Sequence, residues 1–163
     1  MKKQLVIFSV LFILSLCSFS AAAEVGPFVG DKILDFTLND LHGKPVKLSN
    51  LRKGKTALIF FWASWCKDSK AAMPQIQDAY QKYDTNKLLV IGVNTGVRDS
   101  ISLAKNFKEE NKISLPLVFD KDSLVSNKLM VMGTPRFFLV NKDGMIIYSS
   151  GKFPEHLSSV IAN

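Results

Sequence analysis

The chain has 163 residues, 47% of them hydrophobic, with 21 Lys and Arg against 14 Asp and Glu for a formal charge of +7. Such a length suits one domain around a single core, and no linker, repeat or low-complexity tract divides it. The basic excess is dispersed: Lys53 and Lys55, Lys67 and Lys70, and Lys121 fall in different elements with no stacked-aromatic motif among them, which argues for a solvated surface and against a nucleic-acid partner.

Residues 1–23 carry the three parts of a secretory signal: the charged start Met1-Lys2-Lys3, an apolar run over residues 5–16, and small residues at Ala21-Ala22-Ala23. The run is short for a spanning helix, so cleavage after Ala23 is expected, leaving one domain over residues 24–163. The alternative is an uncleaved anchor, with residues 4–23 as a membrane tether. Lipidation at Cys17 is disfavoured because Leu16, just before it, is not small. Each route puts the folded part outside the cytoplasm, and a bacterial periplasm is the expected compartment. Loss of Lys2 and Lys3 takes the charge from +7 to +5, and of the two cysteines only Cys66 then remains.

Along the chain, residues 36–38 and 46–48 read as short strands around the turn His42-Gly43-Lys44-Pro45. Thr56–Trp62 is an unbroken apolar run, as in a central strand covered on both faces. From Cys66 a helix is expected, with Met73, Ile76, Tyr80 and Tyr83 as its buried stripe and a kink at Pro74. Residues 88–93 form a second buried strand, and Ile101, Ala104 and Phe107 mark the buried face of a helix ending near residues 108–112. A short strand over 115–119 and a short helix from 122 or 123 to about 130 come next. Arg136–Val140 and residues 145–148 make a hairpin closed by Asn141-Lys142-Asp143-Gly144, and a helix over 154–161 ends the chain. Phe60, Phe61, Phe137 and Phe138 read as buried strand residues, and Met130, Met132 and Met145 as fillers of core gaps rather than copper ligands. His42 and His156 lie far apart with no ligand cluster, so no metal or cofactor is expected. Strands alternating with helices before a terminal hairpin describe an α/β sandwich with a mixed sheet.

The chemistry-bearing residues are Trp65-Cys66-Lys67-Asp68-Ser69 at a strand-to-helix junction, Met73-Pro74 downstream, Gly133-Thr134-Pro135 before a strand, and the Asn141–Gly144 turn. In this order, over about residues 27–163, they resemble the TlpA/ResA-type thioredoxin-like proteins. The resemblance implies a thioredoxin-like sandwich, a central mixed sheet flanked by helices, with that family's extra helix-strand insertion near residues 97–122. It further implies that Cys66 is the attacking thiol, that Trp65 walls the sulfur, and that Pro135 is a cis-proline facing it. Thr134 would then offer backbone groups to an extended peptide, as in strand addition. At a helix N-terminus the thiolate is favoured over the thiol, Lys67 and Lys70 add positive charge, and Asp68 partly opposes them.

Two departures from the family's pattern shape the expected activity. Its second cysteine is Ser69 here, and the glutamate three residues beyond that cysteine is Ala72. One thiolate suffices to attack a partner disulfide, but release of the mixed disulfide needs a second thiol. Ser69 cannot supply it; its hydroxyl can only donate toward the Cys66 sulfur. The leading expectation is therefore a monothiol thiol-disulfide exchange protein, acting on protein or peptide disulfides and thiols. An external thiol or a free cysteine of the substrate would resolve the adduct. The alternatives are a redox-inactive peptide-binding module, a monothiol peroxidase and a covalent dimer through Cys66. The peroxidase is weakened because the peroxiredoxin pattern P-x-x-x-T-x-x-C meets Ile59 and Ala63 here.

Overall fold

A seven-stranded mixed sheet of order β2-β1-β5-β4-β3-β6-β7 runs through the protein. The structure, a computed structural model, describes residues 24–162; the expected signal segment, with Cys17, lies outside them. In chain order the elements are β1 (Thr37–Asp40), β2 (Pro45–Lys47), α1 (Leu48–Arg52), β3 (Thr56–Trp62), α2 (Lys67–Lys82), β4 (Leu88–Asn94), α3 (Ile101–Glu110), β5 (Leu117–Phe119), α4 (Leu124–Lys128), β6 (Arg136–Val140), β7 (Ile146–Ser150) and α5 (Leu157–Ala162). The fold is the thioredoxin-like α/β sandwich, with α3 and β5 forming the extra helix-strand segment.

Every residue of β3 and β4 is buried, which is why both read as continuous apolar runs rather than alternating ones. The pleat still sorts the side chains. Leu58, Phe60 and Trp62 face Met73 and Ile76 of α2, Phe107 of α3 and Leu157 of α5, whereas Ala57, Ile59 and Phe61 face Leu48 of α1 and Val125 of α4. Aromatic stacking ties the first layer together, with ring centroids 6.4 Å apart for Phe60–Trp62 and 5.0 Å for Trp62–Phe107.

Three expectations need correcting. Leu48 opens a helix instead of ending the strand, because Asp35, distant in sequence, accepts from the Ser49 N–H at 2.9 Å and so caps the first turn from outside. Ile101 opens α3 at 41% exposed, leaving Ala104 and Phe107 as its buried residues. Met130 and Met132 are not core fillers: they are 58% and 95% exposed, in the loop that leads into Gly133-Thr134-Pro135. Helix α2 continues through Pro74 for 16 residues.

Register brings the candidate site together. Strands β3 and β4 are parallel and in step from Thr56↔Leu88 to Trp62↔Asn94, so the segments that follow them leave the same end of the sheet. Strand β6 runs antiparallel to β3 with Phe61 opposite Arg136, which returns the 133–135 turn to that end as well. Ligand sites of open α/β sheets gather at such strand ends.

Candidate active site

Cys66 occupies the N-cap of α2 in an extended conformation, and its sulfur accepts from the Ser69 N–H at 3.4 Å. The thiol in turn donates to the Thr134 carbonyl oxygen at 3.1 Å, across the sheet end. The Thr134–Pro135 peptide bond is cis. Cys66 is 8% exposed, so only a small part of the residue reaches solvent. Ser69, one turn on, is wholly buried, and its Oγ makes no hydrogen bond to another protein atom. Its proton is uncommitted, beside a sulfur that becomes a strong acceptor once ionised.

Burial pushes the Cys66 thiol up, but the donors around the sulfur outweigh it: the backbone N–H groups of Ser69 and Asp68, and the Ser69 and Thr134 hydroxyls, which are free to turn toward the thiolate once it forms; the net shift is downward. A downward shift means that the thiolate persists to lower pH than in a free cysteine. The pH at which alkylation by iodoacetamide is half-maximal should accordingly fall below that of a free cysteine measured alongside. It should climb back in Ser69→Ala, where one donor to the thiolate is gone; an unchanged midpoint in that variant would remove Ser69 from the site's electrostatics.

Trp65 is 56% exposed and held by its indole N–H, which donates to the Val97 carbonyl at 2.8 Å. It stands at the rim, beside the sulfur's residue and not over the core. Lys67 and Lys70 both project outward from the first turn of α2, and the Lys70 ammonium lies 5.5 Å above the Phe107 ring. The sulfur thus owes its stabilisation to local N–H and hydroxyl donors, while the two lysines contribute only general positive charge at this helix end. Among the described residues no three His, Cys, Asp or Glu side chains converge to hold a metal.

Sequence reasoning missed Asp99. Its carboxylate accepts from the Ser64 N–H at 2.6 Å, the Ser64 hydroxyl at 2.8 Å, the Asn94 amide at 2.8 Å and the Ser100 N–H at 2.8 Å. It therefore clamps the turn before Cys66 to the loop after β4. Gly96 makes that loop possible: it has φ +70°, and a Cβ there would strike the backbone oxygen of Asp120. Ser100 capping the Leu103 N–H was the one local signal of the loop's end, and the bridge to Ser64, 35 residues away, leaves no local trace.

The sequence from residue 29 to residue 149 matches the AhpC/TSA family. The chain belongs to that family. Among its relatives, a thiol-disulfide oxidoreductase ResA of Bacillus cereus is 30% identical over 156 residues, covering 90% of this chain and 88% of its own. ResA of Geobacillus kaustophilus is 34% identical over 118 residues, covering 72% and 66%. The thioredoxin domain of a thiol-disulfide oxidoreductase from Bacteroides vulgatus superimposes with a TM-score of 0.71 at 25% identity, covering 83% of this chain and 96% of that one. Homology thus groups this AhpC/TSA chain with thiol-disulfide oxidoreductases, and it carries Cys66 with Ser69 at the helix N-terminus.

Proposed function

We propose that the protein is an extracytoplasmic thiol-disulfide exchange enzyme that works with one cysteine. The observation that carries this reading is the placement of Cys66: an N-capping thiol, 3.1 Å from the carbonyl before a cis-proline, with a buried and uncommitted serine hydroxyl where a second sulfur would stand. The Cys66 thiolate attacks one sulfur of a partner disulfide; a Cys66–partner disulfide forms, the partner's S–S bond breaks, and the other partner sulfur leaves as thiolate. A second thiolate then attacks that mixed disulfide and frees Cys66. Its source is an external small thiol or redox protein, or a free cysteine of the substrate, in which case the substrate is isomerised with no net oxidation.

Thr134 and Pro135 bind the substrate backbone, Trp65 shields the mixed disulfide at the rim, and Ser69 steadies the thiolate. Lys67 and Lys70 favour ionisation only weakly. The N-terminal pattern supports a periplasmic protein, released after Ala23 or tethered through residues 4–23, with a single domain over 24–163. A peroxide-reducing role has less support, because Ala63 stands fully buried where the peroxiredoxin pattern needs a threonine hydroxyl.

The test is capture in the native compartment. Non-reducing gels should show discrete adducts of the wild-type protein that vanish on reduction and are missing from Cys66→Ala. Adducts that persist in Cys66→Ala, or none in the wild type, would leave the groove as a binding surface without exchange.

A further inference from the structure

Beside the Thr134–Pro135 turn, on its α4 side, lies a groove of about 540 Å³ lined by Phe28, Met130, Met132, Thr134, Pro135 and Arg136 among others. Its walls mix polar groups with apolar side chains open to water, Phe28 at 63%, Met130 at 58% and Met132 at 95% exposed. Thioether and aromatic surfaces left in water in this way are the makings of an adaptable apolar contact. Arg136 is its cation. As the first residue of β6 it is fixed by the strand, by donation from Nη2 to the Ser149 hydroxyl at 2.7 Å, and by stacking with its guanidinium carbon 5.6 Å above the Phe138 ring. No carboxylate among the described residues pairs with the charge, since the ion pair found there, Lys47–Asp35, is elsewhere, and Nε is enclosed without a partner. A guanidinium held rigid at the groove wall, with no described carboxylate paired to it, is preorganised for an anionic group brought by a ligand.

We infer that this groove binds an acidic, apolar stretch of the polypeptide whose sulfur meets Cys66, with Arg136 selecting for a Glu or Asp side chain and Phe28, Met130 and Met132 covering its apolar neighbour. The inference rests on the exchange reading for its account of what the stretch is attached to. Continuity supports it: Thr134 forms part of the groove and also places its carbonyl 3.1 Å from the sulfur, so a chain leaving Cys66 along the turn enters the groove within a few residues. Lys67 and Lys70, exposed on the first turn of α2, bias the rest of this end toward acidic partners.

The experiment reads binding without exchange. In a Cys66→Ala background of the full protein, fluorescently labelled dodecapeptides with a central serine and flanking leucine are titrated by anisotropy, carrying Glu, Gln or Lys at the neighbouring positions. The Glu peptide should bind about tenfold more tightly than the Gln peptide, with the Lys peptide weakest and the spread shrinking with salt. Arg136→Gln should bring the three within about twofold, and Arg136→Glu should reverse the order. Equal affinities in the unaltered groove, a Glu preference that survives Arg136→Gln, or no binding of any peptide would each overturn the assignment. Because no thiol takes part, these results stand apart from the adduct test, which alone decides whether Cys66 exchanges disulfides.

Discussion

Ser69→Cys should give the protein a self-sufficient dithiol. The substitution exchanges one atom, sulfur for the smaller oxygen, at a wholly buried position whose N–H already touches the Cys66 sulfur at 3.4 Å, so the new thiol lies beside that sulfur. Release of a mixed disulfide then becomes intramolecular, and well-oriented intramolecular steps gain many powers of ten in effective concentration. Insulin reduction driven by a chemical reductant should rise by at least about a hundredfold over wild type. Isolated under oxidising conditions, the variant should carry an internal disulfide and be two hydrogens lighter by mass. Ala72, where the resembling family has a glutamate, leaves proton movement unassisted, so part of the rate should return only with Ala72→Glu added. No gain in Ser69→Cys would mean that the sulfur's surroundings have been lost along with the second thiol.

Asp99→Ala should produce the largest loss of stability that is also felt at Cys66. Four donors converge on this carboxylate, and two of them belong to Ser64, two residues before the cysteine. Removing the acceptor strands part-buried N–H and amide groups, at about 1–3 kcal/mol for each donor that water cannot reach. With some donors rescued by solvent, about 2–4 kcal/mol in total is the expected loss, read as a lower urea midpoint at unchanged slope. The site should answer too: the turn holding Cys66 loosens, and the midpoint of the alkylation profile moves up toward that of a free thiol. Asp99→Asn keeps an acceptor for Ser64 and should recover most of the stability. Loss of stability with an unmoved alkylation midpoint would confine Asp99 to a structural role.

The parts of this site legible in the sequence were those that local pattern encodes. The unbroken run Thr56–Trp62 identified a strand buried on both faces, and the shift to helical spacing after it put Cys66 at a helix N-terminus, where the structure has it. The facing turn at Thr134-Pro135 came from family resemblance, since nothing in the residues themselves says that segments 68 positions apart in sequence meet at 3.1 Å. What escaped was long-range or depended on exposure. Helix α1 is capped by Asp35 across an intervening hairpin, the Asp99–Ser64 clamp joins two loops, and Met132 resembles any core methionine until the turn that lifts it into solvent is known. Arg136 gave no signal because a cation at a strand start is ordinary; that no carboxylate among the described residues pairs with it emerges only from the fold.

Capture without unaided release is the central claim, and the kinetics of release test it most directly. The protein is loaded with one equivalent of a disulfide that joins two copies of a single-cysteine peptide, the Cys66 adduct is separated from the released peptide thiol and from small thiols, and its decay is followed by mass spectrometry as glutathione is added. The adduct should persist without added thiol and decay at a rate proportional to glutathione concentration, with Ser69→Cys releasing the peptide at once in either case. Rapid release by the wild-type protein with no thiol present, or failure to form the adduct at all, would contradict the account.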